Sequence, residues 1–167
     1  MGKRDKKAVL KIILYFSITL TLSFIFINSA LPKTISSEGS GSVYKALISA
    51  VSTLFGENFA TAFSQKFTPL FLRKLTHFLE FSLLSVQIIT VYALSNRLTI
   101  KNLFELFAIG LLVAVVDESI QILSQRGASV IDVLIDLSGY ALVLLVYCGL
   151  YFLVKKRKKE KDNYGKN

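Results

Sequence analysis

Four stretches of the chain stay apolar for roughly 20 residues or more, the length needed to cross about 30 Å of hydrocarbon. The pattern predicts spanning helices over 8–30, 70–94, 103–124 and 130–154. The expected fold class is therefore an all-α integral membrane protein, a single four-helix unit over residues 1–167 with no second domain. Packing and polar contacts, not burial away from water, would hold its helices together.

Between the first two spans the pattern changes. Pro32 and the patch Ser36-Ser37-Glu38-Gly39-Ser40-Gly41-Ser42 suit a flexible turn region. From Val43, apolar residues recur at helical spacing through Leu47, Val51, Leu54 and Phe55, while Lys45, Ser49 and Ser52 fall elsewhere. Phe59, Phe63 and Phe67 continue in steps of four. This predicts an amphipathic helical segment over 43–67, one or two helices lying on the outer membrane surface. It would serve as a connector or as a lid over a polar site beneath it. Thr68-Pro69 ends the segment and opens the second span. Ser95–Lys101 is a short basic turn, and Gln125–Ser129 a tight link between the third and fourth spans. No internal repeat or coiled-coil heptad is evident.

Composition sharpens this picture. The chain is 53% hydrophobic with 13 Phe, too oily for an ordinary water-soluble domain. Its net charge of +9 is gathered at the two ends: Lys3, Arg4, Lys6 and Lys7 before the first span, and Lys155, Lys156, Arg157, Lys158, Lys159 and Lys161 after the last. Such clusters anchor transmembrane helices on the cytoplasmic side and predict an N-in, C-in topology with a basic cytoplasmic tail over 155–167. They argue against a nucleic-acid partner. The basic start also resembles a secretory signal, but 8–30 exceeds a signal core of about 7–15 residues. Asn28-Ser29-Ala30 is a poor cleavage site, so an uncleaved helix is expected. Cys148 has no second cysteine to pair with, which leaves neither a disulfide nor a cysteine metal site.

Polar residues interrupt three spans. Arg73-Lys74-Leu75-Thr76-His77-Phe78-Leu79-Glu80 heads the second, Asp117-Glu118-Ser119-Ile120-Gln121 closes the third, and Asp132 and Asp136 open the fourth. In the expected topology all three arrive in the outer half of the membrane. Steps of three and four put Lys74, His77 and Glu80 on one helix face, Glu118 with Gln121 on another, and Asp132 with Asp136 on a third. Gly139, seven residues after Asp132, would let two helices approach closely. An isolated charge at mid-membrane costs about 2.5–3.5 kcal/mol on insertion scales, so a cluster of them points to function or to mutual pairing.

Five carboxylates (Glu80, Asp117, Glu118, Asp132, Asp136) face three fixed cations (Arg73, Lys74, Arg126). The excess requires protons, a cationic His77, a divalent metal ion or a water-filled vestibule. His77 suits proton transfer near neutral pH. It could equally join Glu118 and Asp132 around a divalent ion with an open position, or serve only as a structural hydrogen bonder. Glu80, Asp117 and Glu118 are candidate acid–base groups. Lys74 and Arg126 either pair with these acids or receive a phosphate or carboxylate, with Arg suited to bidentate contact. Tyr140, Ser82 and Ser85 are expected to pack and to hydrogen-bond between helices.

At these positions the chain resembles the VanZ-like family of small bacterial membrane proteins. The likeness rests on Arg73-Lys74-x-x-His77-Phe78-x-Glu80-Phe81, on Asp117-Glu118-x-x-Gln121 followed by Arg126-Gly127-Ala128-Ser129, and on Asp132-x-x-x-Asp136-x-x-Gly139. Phe81 stands where the family often has Tyr, and Asp136 where it often has Asn. The resemblance implies a functional set of Lys74, His77, Glu80, Asp117, Glu118, Gln121, Arg126, Asp132 and Asp136. It also implies a multi-pass protein of the bacterial cytoplasmic membrane that lowers susceptibility to lipophilic glycopeptides such as teicoplanin. Its partners would be the lipid bilayer and a lipid-linked cell-wall precursor or the lipoglycopeptide itself; a homo-oligomer stays open. Two alternatives remain beside it. One is a hydrolase or transferase acting on a lipid headgroup. The other is a proton-coupled transporter, for which four spans without inverted repeats form a small unit.

Overall fold

The computed structural model describes residues 3–95, 97–126 and 129–164. Six α-helices follow in order: α1 (Lys3–Ala30), α2 (Lys33–Phe55), α3 (Glu57–Lys66), α4 (Pro69–Leu94), α5 (Leu103–Leu123) and α6 (Val130–Tyr164), with a single 3-10 turn at Ile100–Asn102 before α5. No strand occurs among the described residues. Four segments are long and apolar enough to span a membrane: Asp5–Ala30, Pro69–Leu94, Ile100–Leu123 and Val130–Val154. The all-α, four-span expectation is met. The motif residues Gly127 and Ala128, and the side chains of Lys3, Arg4, Lys155, Lys156, Lys158, Lys159 and Lys161, lie outside the description.

Local chemistry sets the helix limits. At the start of α4 the Thr68 hydroxyl accepts the Phe71 N–H at 3.2 Å. Pro69 occupies the first turn, where its missing N–H costs nothing and its fixed φ favours the helix. Gly56, at φ 87°, breaks the run between α2 and α3 with a backbone shape that a side chain would strain.

The Ser/Gly patch at 36–42 departs from expectation. It is not a flexible turn but the opening turns of α2, so the amphipathic segment starts at Lys33 and not at Val43. The hydroxyls of Ser37, Ser40 and Ser42 donate to the carbonyls of Thr34, Ser36 and Glu38 at 2.8, 2.9 and 2.9 Å. Bonded back along the helix in this way, they share carbonyls with helical N–H groups, which a helix tolerates at a small cost. α2 and α3 pack on each other, and the Tyr44 hydroxyl donates to the Ser64 carbonyl at 3.2 Å. The rings of Phe63, Phe67 and Phe71 stack in succession from α3 into α4, with centroids 4.4 and 5.2 Å apart. No residue of α2 is buried and α3 buries Ala60, but neither helix contributes to the central core cluster.

α4 and α6 form the tightest helix pair, flanked by α1 and α5. Gly139 makes it so: a Cβ there would run into the backbone carbonyl of Phe78. The contact is fastened by the two serine hydroxyls, as expected, whereas the buried Tyr140 hydroxyl packs without the hydrogen-bond partner expected for it. Ser82 donates to the Gly139 carbonyl and Ser85 to the Tyr140 carbonyl, each at 3.0 Å. On the other side of α6, Gly110 of α5 admits the Tyr140 ring. Phe81, Leu84, Leu106, Tyr140 and Ile25 fill the centre. α1 is held to α4 by the Gln87 amide, which donates to the Ser17 and Thr21 hydroxyls at 2.8 and 3.0 Å. Large apolar side chains point outward around the bundle, Phe104, Leu112 and Leu145 among them, as suits contact with lipid tails.

Candidate functional site

Alternating helix direction brings the start of α4, the end of α5, the start of α6 and the end of α1 to one end of the bundle. The three polar insertions meet there. Lys74 Nζ lies 2.8 Å from Asp132 Oδ1, joining α4 to α6. His77 Nδ1 lies 3.8 Å from Asp117 Oδ2 on α5 and 3.7 Å from Asp136 Oδ1 on α6. Asp117, Glu118, Gln121 and Asp136 are buried, while Lys74, His77, Glu80, Arg126 and Asp132 sit at intermediate depth.

Asp117 is the most fully engaged acid. Its Oδ1 accepts from the Ser29 hydroxyl of α1 at 2.6 Å, and its Oδ2 accepts from the Gln121 amide one turn further along α5 at 3.0 Å. Ser29 was not foreseen as part of the site. With Asn28 it makes a polar step at the end of an otherwise apolar run, and that step was the available signal. Asn28 contributes its carbonyl, which accepts from Arg126 Nη1 at 2.6 Å. Burial and the neighbouring Arg73 pull the Arg126 pKa below its ordinary value, opposed by Asp117, Glu118 and Asp132.

Glu118 and Asp132 do not converge on His77. Glu118 Oε1 accepts the backbone N–H of Ser129, so the carboxylate closes the α5–α6 connection. Asp132 belongs to Lys74. The acids within reach of the imidazole are instead Asp117 and Asp136, because the rotation of α5 and α6 turns those positions toward α4. Ligand atoms of His77, Asp117 and Asp136 all lie within 4.8 Å of one another.

Above this cluster a cavity of about 350 Å³ opens between α2, α4 and the end of α1. Its lining mixes the polar Arg73, His77, Glu80 and Arg126 with the apolar Leu31, Ile35, Val43 and Leu72. One carboxylate oxygen of Glu80, Oε2, is buried without a hydrogen-bond partner. α2 borders the cavity through Ile35, Ser36, Gly39, Ser40 and Val43, so the contact falls mainly on the Ser/Gly patch and not on the 43–67 segment expected as a connector or lid. Arg73, which lines both this cavity and the cluster below, was part of the sequence motif but had not been assigned a site role.

A family model described as VanZ/LLP1 matches residues 12–154, which takes in every residue of this site. No curated protein and no solved structure gives a significant match.

Proposed function

The chain belongs to the VanZ/LLP1 family, and from that premise we propose that it is a multi-pass protein of the bacterial cell envelope that lowers susceptibility to lipophilic glycopeptides such as teicoplanin. In this reading both termini face the cytoplasm, and the polar site opens in the outer leaflet. The site takes an anionic group carried on a lipid, either a lipid-linked cell-wall precursor or the acylated drug itself.

The observation that carries this reading is the mixed lining of the cavity. Arg73 and Arg126 reach it together with the aliphatic residues Leu31, Ile35, Val43 and Leu72. That mixture suits an amphiphile. Arg can grip a phosphate or carboxylate through two parallel hydrogen bonds, while the aliphatic residues accept chain or acyl carbons. Deleting the gene is expected to raise teicoplanin susceptibility, with restoration by the wild-type gene but not by Arg126→Gln. Unchanged susceptibility on deletion removes the resistance assignment.

A membrane enzyme acting on a lipid headgroup is the second reading, favoured by the buried, unpartnered Glu80 Oε2 at the cavity wall. Glu118 also keeps one buried oxygen without a partner, but it does not line the cavity, which leaves Glu80 as the better placed general base and His77 as its neighbour for proton transfer. Turnover of a labelled precursor lipid by wild type and its loss in Glu80→Gln would support catalysis. Absence of turnover leaves binding alone.

A further inference from the structure

The imidazole of His77 faces two carboxylates at nearly equal distances, both too long for hydrogen bonds. Its Nδ1 is buried and has no hydrogen-bond partner, although it points at Asp117 Oδ2 and Asp136 Oδ1, 3.8 and 3.7 Å away. Two ligands each about 2.0–2.3 Å from a shared ion, at near-tetrahedral angles, lie about 3.3–3.8 Å apart. The observed separations fall in that range. Beside them is a void of about 10 Å³, lined by His77, Gln121, Asp132 and Asp136 together with Arg73 and Lys74. It has room for one ion or one water.

We propose that His77, Asp117 and Asp136 hold one divalent transition-series cation, Zn²⁺ or Mn²⁺, through the imidazole Nδ1 and one oxygen from each carboxylate. Mixed nitrogen and oxygen ligands suit these ions, and the void leaves a coordination position for water or substrate oxygen. The surrounding contacts are those that orient ligands at a metal. The Gln121 amide and the Ser29 hydroxyl donate to Asp117 and fix the direction of its free lone pairs. Charge balance agrees. Glu80, Asp117, Glu118, Asp132 and Asp136 exceed Arg73, Lys74 and Arg126 by two negative charges, which one divalent ion cancels. Of the two cations that line the void, Lys74 is committed to Asp132. Arg126 is turned away onto the Asn28 carbonyl.

The ion does not depend on the headgroup reading, because metal content is measured on purified protein without precursor or drug. Full-length protein in detergent is loaded with ZnCl₂ or MnCl₂, desalted, and assayed by mass spectrometry of the metal. Wild type is expected to retain one equivalent. Asp136→Asn and His77→Gln are expected to lose it, while Glu118→Gln and Asp132→Asn keep it; circular dichroism checks that each variant is folded. Pulsed electron paramagnetic resonance of the Mn²⁺-loaded wild type is expected to show coupling to an imidazole nitrogen, a readout that needs no variant. Absence of stoichiometric metal in wild type, absence of that coupling, or retention by both Asp136→Asn and His77→Gln overturns the proposal. Loss only in Glu118→Gln or Asp132→Asn overturns it too, because the ion would then sit elsewhere.

Discussion

A methyl group at position 139 would meet the carbonyl of Phe78, a backbone atom that cannot rotate away. Gly139→Ala is therefore expected to force α4 and α6 apart at a cost of about 1–3 kcal/mol, the usual range for overpacking. It should lower the melting temperature in detergent, and an unchanged melting temperature would mean that the helices meet elsewhere. At the other end of the size scale, Ser29→Ala removes one of two donors to a buried carboxylate. Hydrogen bonds to charged groups contribute about 1.5–3 kcal/mol, so this variant should also melt earlier. Ser29→Thr, which keeps the hydroxyl, should recover much of the loss. Sequence alone identified which residues were polar and out of place, but not which acid would meet the imidazole. Neighbours in a helix are about 100° apart, so a modest rotation of α5 decides whether Asp117 or Glu118 faces inward. That rotation is set by the packing of Gly110 against Tyr140 and by Ser29, contacts far apart in the chain.

At the scale of elements, α4 and α5 begin and end close to where the apolar runs do, because lipid solubility and helix length impose the same limits; α6 starts with its run but continues past it to Tyr164. The segment between α1 and α4 was harder to read. Glycine and serine ordinarily signal a turn, and only the back-bonded hydroxyls of Ser37, Ser40 and Ser42 show how the patch remains helical. Gly39 and Gly41 have open space where a Cβ would sit. Replacing both with alanine should firm α2 by about 1 kcal/mol each, since glycine is the weaker helix former. Amide hydrogen exchange over 33–55 should slow accordingly. Exchange as fast as in wild type would indicate that this helix is already held by its neighbours.

For the molecule as a whole, the position of the site at one end of the bundle follows from the alternating run of the spans, and the charge pattern predicts which end faces out. In a Cys148→Ser background, Lys45→Cys on α2 should react with a membrane-impermeant maleimide in intact cells. Ile100→Cys, in the turn between α4 and α5, should react only after permeabilisation. The reverse pattern would invert the orientation and place the cavity toward the cytoplasm. The last helix adds a mechanical point. α6 continues without a break from Val130 to Tyr164, 35 residues, or about 52 Å at 1.5 Å per residue. The hydrocarbon layer occupies only about 30 Å of that length. The remainder is a stiff post continuous with the helix that carries Asp132 and Asp136, so a sideways push on its far end would be felt at the opposite membrane face as a tilt of those two carboxylates.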